Sequence, residues 1–148
     1  MFTLWIWVNH QNKGVCTRLA CEIASSANLC NLVLNLEKEV CFVGLINSNG
    51  RLVEQSKRKN RSLDNPEKID WTMLCMQTRL HTSMQGDHDE NFGRFGYCIT
   101  EREKTTMMTI PTIHGTMLVI SSNKIDSKKL AKQIFRIVGD DCFATIPN

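Results

Sequence analysis

The chain has 148 residues, of which 42% are hydrophobic and 22% are charged, and its formal net charge is +3. This length favours one domain, and the composition is that of an ordinary globular protein that needs no metal or disulfide to fold. The charge is too small to indicate a nucleic-acid-binding protein, because such domains usually concentrate basic residues on one face.

Cysteine is common in the chain, yet no two cysteines form a C-x-x-C pair and most have apolar neighbours. Free cysteine behaves as a small buried hydrophobe, and disulfides are rare in the cytosol. We therefore expect reduced core thiols at Cys16, Cys21, Cys30, Cys41, Cys75, Cys98 and Cys142.

The segment Met1–Val8 is apolar but short. A membrane-spanning helix needs about 20 apolar residues, and a secretory signal needs a basic stretch ahead of its apolar region. Neither pattern is found, so we expect no membrane association and a cytoplasmic location. Residues 1–14 differ from the rest and are predicted to be an atypical extension, followed by one domain over residues 15–140 and a tail over residues 141–148.

The first part of the domain is predicted to be a helix followed by a β-hairpin. Apolar residues recur at helical spacing over residues 15–36, which is typical of an amphipathic helix. Residues 40–46 form an apolar run that predicts a strand. Asn49-Gly50 then supplies the positive φ angles of a tight turn, and residues 51–54 return as the second strand. The polar residues 55–65 are expected to form a connection.

A second helix is predicted to start at Asp64-Asn65-Pro66-Glu67, because an Asx cap, a proline in the first turn and an acidic residue favour a helix N-terminus. Gly86 is expected to end it. An apolar stripe along this helix has a spacing of three to four residues, with Trp71, Leu74 and Cys75 widening it. The stripe consists of Ile69, Met73, Met76, Leu80 and Met84.

Three further strands and a last helix follow. Alternation at Phe95, Tyr97 and Ile99 predicts a strand over residues 95–100. A second strand is expected over residues 105–110, and Pro111 should end it because proline cannot donate to a sheet. Residues 116–120 are almost all apolar and predict a central strand. The last helix should begin at Asp126 or Ser127 and end at Gly139.

The predicted order is α-β-β-α-β-β-β-α. Direct hairpins make neighbouring strands antiparallel, and helices must then cover the faces of the sheet. We therefore predict an α+β domain in which three helices flank a five-stranded antiparallel sheet.

This order, and the hairpin sequence FVGLINSNGRLV over residues 42–53, resemble the roadblock/LC7 group of profilin-like domains. Roadblock-like domains are typically dimers in which the second helices pack together and the third strands extend one sheet across both copies. Many serve as platforms for small GTPases or other regulatory proteins.

The chain is also similar, over roughly residues 19–138, to an uncharacterised family of small thaumarchaeal proteins. This similarity includes Met76-Gln77-Thr78-Arg79-Leu80, Phe92-Gly93 with Tyr97, and Arg102-Glu103-Lys104 ahead of Ile110-Pro111. That family has no established activity, so the similarity implies a fold rather than a function.

The roadblock resemblance implies a non-enzymatic homodimer that binds a regulatory protein. In such a dimer the second helix would divide its apolar stripe between its own sheet and a partner. A methionine-rich surface suits adaptable contacts. The expected interface residues are Ile69, Met73, Met76, Leu80, Met84, Phe95, Tyr97 and Arg102.

Other groups of polar residues do not predict a catalytic, cofactor or metal site. The acidic and histidine residues at 87–90 crowd one loop, which favours a solvated turn over an ion site. The basic run at 57–61 lacks the interleaved aromatic residues of single-strand nucleic-acid readers and predicts an exposed loop. Cys98 and His114 could approach each other, but nothing in their spacing requires it.

The alternative function is a small-ligand sensor, because profilin-like folds are close in shape to PAS-type domains. Trp71, Phe95, Tyr97 and the methionines would then line a pocket between sheet and helices. A cavity of a few hundred cubic ångströms lined by these residues would favour this function.

Overall fold

The computed structural model describes residues 26–59, 63 and 65–139. The α-helices are α1 (Ser26–Leu34), α2 (Trp71–Gly86), α3 (Asp89–Phe92) and α4 (Ser127–Ile134). The strands are β1 (Val40–Ile46), β2 (Leu52–Lys57), β3 (Cys98–Glu101), β4 (Thr105–Thr112) and β5 (Gly115–Ser122). A short 3-10 helix, Pro66–Lys68, precedes α2, and a π-helical segment, Phe135–Gly139, follows α4.

The five strands form one antiparallel sheet in the order β2-β1-β5-β4-β3. β1 is buried along its whole length, and β5 is buried except at its two ends, because helices cover both faces of the central strands. The predicted antiparallel sheet, and the central position of the strand at residues 116–120, are confirmed.

The helices cover the two faces of the sheet unequally. α1 and α4 lie on one face, where Leu29, Val33, Leu130 and Ile134 pack with inward residues of β1, β4 and β5. α2 lies on the other face through Trp71, Leu74 and Cys75, which pack over residues of β1 and β5. The rings of Phe42 and Trp71 are 4.8 Å apart between centroids.

The predicted β1–β2 hairpin is present. The Asn47 side-chain oxygen accepts hydrogen bonds from the backbone N–H groups of Asn49 and Arg51, at 2.9 and 3.0 Å. Gly50 has φ +80°, the left-handed conformation for which glycine is favoured. β2 is longer than predicted, because residues 55–57 pair with β1 instead of forming a connection.

The start of α2 differs from the prediction. Asn65 lies in the left-handed region at φ 50° and precedes only the three-residue 3-10 helix. The cap of α2 is Asp70, whose carboxylate accepts the backbone N–H of Met73 at 2.9 Å. Ile69 therefore lies before the helix and not on it. The structure also has a fourth, four-residue helix, α3, which the sequence pattern did not predict.

The strands after α3 differ from the predictions at two ends. β3 begins at Cys98, so Phe95 and Tyr97 precede the strand. β4 continues through Pro111 to Thr112, so the prediction that Pro111 ends the strand was wrong. β3 begins opposite Thr109, and at Pro111 β4 is paired with β5 alone. A proline costs a sheet least where its missing N–H faces no neighbouring strand.

Near the ends of the chain, the predicted cap of the last helix is confirmed, and other predictions lie outside the described residues. Asp126 caps α4 by accepting the backbone N–H of Lys129, as expected. The start of the first predicted helix, the extension at residues 1–14 and the tail at residues 141–148 lie outside the described residues. Asp64, Cys16, Cys21 and Cys142 lie outside them as well.

Candidate protein-interaction surface

The surface of α2 that faces away from the sheet is apolar. Met73, Met76, Leu80 and Met84 are 53%, 54%, 61% and 55% exposed. Their spacing of three, four and four residues places them along one side of the helix. We call these four residues the α2 stripe. The sequence predicted that they would share a helical face, and the structure shows that this face is turned outward.

The side of α2 that faces the sheet is partly polar. Its buried residues are Cys75, Thr78 and Thr82. The Thr82 hydroxyl donates to the carbonyl oxygen of Thr78 at 3.0 Å, so it is satisfied within the helix. Beyond the first turns of α2, where Trp71, Leu74 and Cys75 pack on the sheet, threonines face the sheet and apolar residues face solvent. This later part reverses the arrangement of an ordinary surface helix.

The β1–β2 turn holds one flank of α2. A Cβ atom on Gly50 would lie 3.3 Å from Met76 Cγ and 3.4 Å from Met76 Cα. The turn and the helix therefore touch, and Gly50 leaves room for the contact. Met76 is consequently the member of the α2 stripe whose backbone is packed against its own subunit.

A groove of about 640 Å³ opens beside the start of α2. It lies between α2 and the β3–β4 turn, and we call it the hairpin groove. Ile69 and Arg102, two of the predicted interface residues, both line it. The other lining residues are Cys41, Leu63, Leu74, Glu103, Lys104, Thr105, Met107, Ile120 and Ser122.

The remaining predicted interface residues, Phe95 and Tyr97, are separate from the α2 stripe. The Phe95 backbone N–H donates to the Asp89 carboxylate at 2.9 Å, beyond the end of α2. Tyr97 packs against Phe135, at 5.8 Å between ring centroids, beside the core on the α1 and α4 face. The structure thus brings together the four α2 residues, and separately Ile69 and Arg102, but not all eight.

The outer edge of β3 is unpaired within the described part of the chain, because β3 ends the strand order. Thr100 and Glu101 on this strand are exposed. An edge strand offers a row of backbone N–H and C=O groups that another strand can pair with. The α2 stripe and this edge are both available for contact with another chain.

The residues of the ligand-sensor alternative do not line one pocket. Trp71 packs over Phe42 on the α2 face, whereas Tyr97 packs on Phe135 on the opposite face. The hairpin groove is lined by neither of them, nor by Phe95. The geometry therefore does not favour a sensor pocket built from these aromatic residues.

The thiols of the core are poor nucleophiles. Burial raises the pKa of Cys30 to about 11, with a smaller contribution from the nearby Glu54. Burial also raises the pKa of Cys41 and of Cys75. Because the thiolate is the reactive form, these residues remain protonated and unreactive near neutral pH.

The sheet does not bring Cys98 next to His114, an approach that the sequence left possible. Cys98 pairs with Thr109, and His114 lies in the turn beyond Thr112. Three residues of strand already separate these positions by about 10 Å. Across the described ranges, no three His, Cys, Asp or Glu side chains cluster as a metal site would require.

The basic run at residues 57–61 is partly structural. The Arg58 guanidinium donates to backbone carbonyl oxygens of Val40, Leu34 and Glu37. Lys57 and Lys59 are exposed, while Asn60 and Arg61 lie outside the described residues. No helix within the described ranges is both long enough and apolar enough to cross a membrane.

The fold is that of a roadblock/LC7-like domain, as comparison with solved structures shows. A roadblock/LC7 domain from Streptomyces avermitilis superposes with a TM-score of 0.59 at 11% identity, over 79% of this chain and 94% of that one. MglB from Myxococcus xanthus gives 0.54 at 18% identity, over 84% and 99%. The gliding protein MglB from Thermus thermophilus gives 0.52 at 11% identity, over 93% and 97%.

Comparison of the sequence alone gives no match. No protein-family model matches the chain, and no curated protein matches it either. At identities of 18% and below, the structural likeness establishes the fold and leaves the function to be argued from the surface of this molecule.

Two features of this surface were missed from sequence. The inward face of Cys75, Thr78 and Thr82 has the same helical spacing as the α2 stripe, and it could have been read as a second face. Phe92 is 84% exposed, the largest value among the large apolar residues described, and its neighbours gave no periodic signal.

Proposed function

We propose that this chain is a non-enzymatic module that forms a homodimer and binds a regulatory protein, with a small GTPase as the specific candidate. The observation that carries the proposal is the apolar outer face of α2. Four large apolar side chains of this helix face solvent, although Trp71, Leu74 and Cys75 already pack on its own sheet. A soluble protein rarely leaves such a continuous apolar surface uncovered.

The energetics of this surface support association. Complete burial of a Leu or Met side chain contributes roughly 1.5–3 kcal/mol. The four residues of the α2 stripe are 53–61% exposed, so an interface would add roughly half of that amount for each of them. Over two subunits this apolar contribution helps to offset the cost of association. Methionine makes up three of the four, and its unbranched side chain adapts to irregular partner surfaces.

The unpaired edge of β3 supports the same arrangement. A second copy that pairs its own β3 antiparallel to this one would extend the sheet across the dimer. Its backbone hydrogen bonds would then supplement the apolar contacts of α2. This arrangement agrees with the resemblance of the chain to roadblock/LC7 domains, which implies that second helices and third strands pair in a dimer.

The proposal of a regulatory partner rests on the fold and on the type of surface. The solved relatives include proteins named MglB and MglC from Myxococcus xanthus, which share this architecture at low identity. No catalytic constellation is assembled among the described residues, which is consistent with a binding role. The resemblance to roadblock platforms is what suggests a small GTPase.

Sedimentation velocity tests the homodimer. Wild type is expected to sediment as a dimer at micromolar concentration, and Leu80→Asp as a folded monomer. Leu80 is preferable to Met76 because the backbone of Met76 packs against Gly50. The matched control is Leu32→Asp, on α1, where Leu32 is 44% exposed on the other side of the sheet.

The two outcomes have distinct meanings. A dimeric Leu80→Asp would exclude the α2 stripe as the subunit interface, and a monomeric wild type would overturn the homodimer.

For the partner, a purified small GTPase from the same genome should bind saturably in one nucleotide state, GDP-bound or GTPγS-bound. Absence of binding in both states, for every small GTPase of that genome, would overturn the GTPase proposal.

A further inference from the structure

The hairpin groove is a mostly apolar site at one end of α2. Ile69 and Leu74 border it from the start of the helix, and Met107 and Ile120 border it from the sheet. Arg102 stands at its rim on the β3–β4 turn. At about 640 Å³ it has ample room for one aromatic side chain.

Phe92 is an apolar side chain that the described part of its own subunit leaves uncovered. It is 84% exposed, and it ends the four-residue helix α3. Its ring meets His88 edge-on at 6.2 Å between centroids, which covers little of its surface. Its ring is therefore available for contact with another molecule.

Phe92 and the hairpin groove lie near opposite ends of α2. The 16 residues of α2 span about 24 Å. The groove borders the first turns of α2, whereas Phe92 follows its last turn, beside Gln85 and Phe95. β3 runs in the opposite direction to α2. It starts at Cys98, a few residues after Phe92, and ends next to Arg102, which lines the groove.

A two-fold dimer would bring these two ends together. If two α2 helices pack antiparallel, the end of one lies over the start of the other. If two β3 strands pair antiparallel, the start of one lies beside the end of the other. Antiparallel packing of the helices and antiparallel pairing of the strands both place Phe92 of one copy beside the hairpin groove of the other.

We infer that Phe92 of each subunit inserts into the hairpin groove of a second copy of this chain. This inference rests on the proposed homodimer and adds a specific anchor to it. A symmetric dimer then has two such anchors, one at each end of the α2 pair. Arg102 at the rim is placed to lie over the face of the inserted ring, an arrangement favourable for a guanidinium.

Photo-crosslinking in mixed-label dimers tests the contact directly. Phe92 is replaced by the photoreactive benzoylphenylalanine in unlabelled protein, which is mixed with ¹⁵N-labelled wild type and irradiated. Cross-links should map by mass spectrometry to labelled peptides that contain Ile69, Leu74 or Met107. Sedimentation of the same mixture reports whether dimers are present.

The results separate this inference from the dimer itself. Labelled wild type is kept in excess, because two unlabelled copies can also pair. A dimer whose cross-links to labelled chains fall outside the groove peptides, or that gives no such cross-link, would overturn the inference and leave the homodimer standing. A monomeric wild type would overturn both. Cross-links to the labelled groove peptides would support both.

A substitution series provides a second measurement. Phe92→Ala should raise the dimer dissociation constant about tenfold or more, because each dimer loses two buried rings. Val53→Ala is the matched control, since Val53 is 49% exposed on β2, at the opposite edge of the sheet. If Phe92→Ala dimerises as tightly as Val53→Ala and wild type, the anchor is excluded.

Discussion

The Arg58 guanidinium donates from Nε to the carbonyl oxygen of Val40 at 2.9 Å. The same guanidinium donates to the carbonyl oxygens of Leu34, at the end of α1, and Glu37, at 3.3 Å, in the loop that follows. One side chain at the end of β2 therefore satisfies carbonyl groups of a helix C-terminus, a loop and a neighbouring strand. A residue that the sequence placed in an exposed basic loop is part of the scaffold.

Arg58→Lys should destabilise the fold by about 1–3 kcal/mol, because an ammonium cannot reproduce the fork of donors and leaves part-buried carbonyl oxygens unpaired. Urea denaturation measures the change. Lys59→Ala is the control, since Lys59 is exposed and has no such role. Equal stability of Arg58→Lys and wild type would show that these hydrogen bonds contribute nothing net.

Gly115→Ala should destabilise the protein by about 2 kcal/mol or more, because it combines backbone strain with a steric clash. Gly115 has φ +135°, and an added Cβ would lie 2.3 Å from the carbonyl oxygen of Ile46. Gly93→Ala is the matched control, since Gly93 also has positive φ but nothing within 4 Å of the added atom. Similar losses for the two variants, measured by thermal denaturation, would refute the role of the clash.

Stability should fall as pH rises through the titration of Cys30. The pKa of this thiol is raised from 9.0 to about 11 by folding, so between these values the folded protein holds a proton that the unfolded chain releases. The contribution is fully present below pH about 9 and is lost by pH about 11. The free energy of unfolding should therefore decline less steeply in Cys30→Ala than in wild type over this interval. Identical slopes in the two proteins would contradict the raised pKa.

Thiol labelling under native conditions should distinguish the described cysteines by burial. Cys30, Cys41 and Cys75 are buried and should react with maleimide only as the protein opens, whereas Cys98 is half-buried and should react sooner. Peptide mass spectrometry identifies each site. Cys98 should not exceed the rate of a free-thiol reference, and a faster rate would revive the idea of an activated nucleophile.

The hairpin and the central strands were predictable because their signals are local. Residues 40–46 are apolar throughout, and the Asn-Gly turn after them fixes where the chain reverses. The predicted bounds of β1 agree with the structure, whereas β2 runs to Lys57, beyond its predicted end at residue 54. The cap of α4 at Asp126 was equally local, because a single side chain and a backbone N–H define it.

The orientation of α2 could not be predicted, because it depends on packing between distant segments. The α2 stripe and the inward face of Cys75, Thr78 and Thr82 are both regular helical faces. The helix turns the less apolar one toward the sheet, where Trp71 stacks near Phe42 and the Gly50 turn abuts Met76. Those contacts join residues that are far apart in the sequence, and a local sequence pattern contains no information about them.

The continuation of β4 through Pro111 also needed the three-dimensional neighbourhood. Proline is excluded from strand interiors only where its missing N–H would have faced another strand. The short length of β3 leaves β4 with a single neighbour at that point. A rule applied to the sequence of β4 alone takes no account of where the neighbouring strand β3 begins.

The strand order has a consequence for how the chain folds. β1 with β2, and β3 with β4 and β5, are two units made of adjacent segments, and each can form early from contacts close in sequence. Joining them requires β1 to find β5, and Cys41 and Ile120 at that junction are 79 positions apart. Closing so long a loop is the slow step in such a topology. Until it closes, both units have apolar strands with open edges, and this is when the polypeptide is most prone to aggregate.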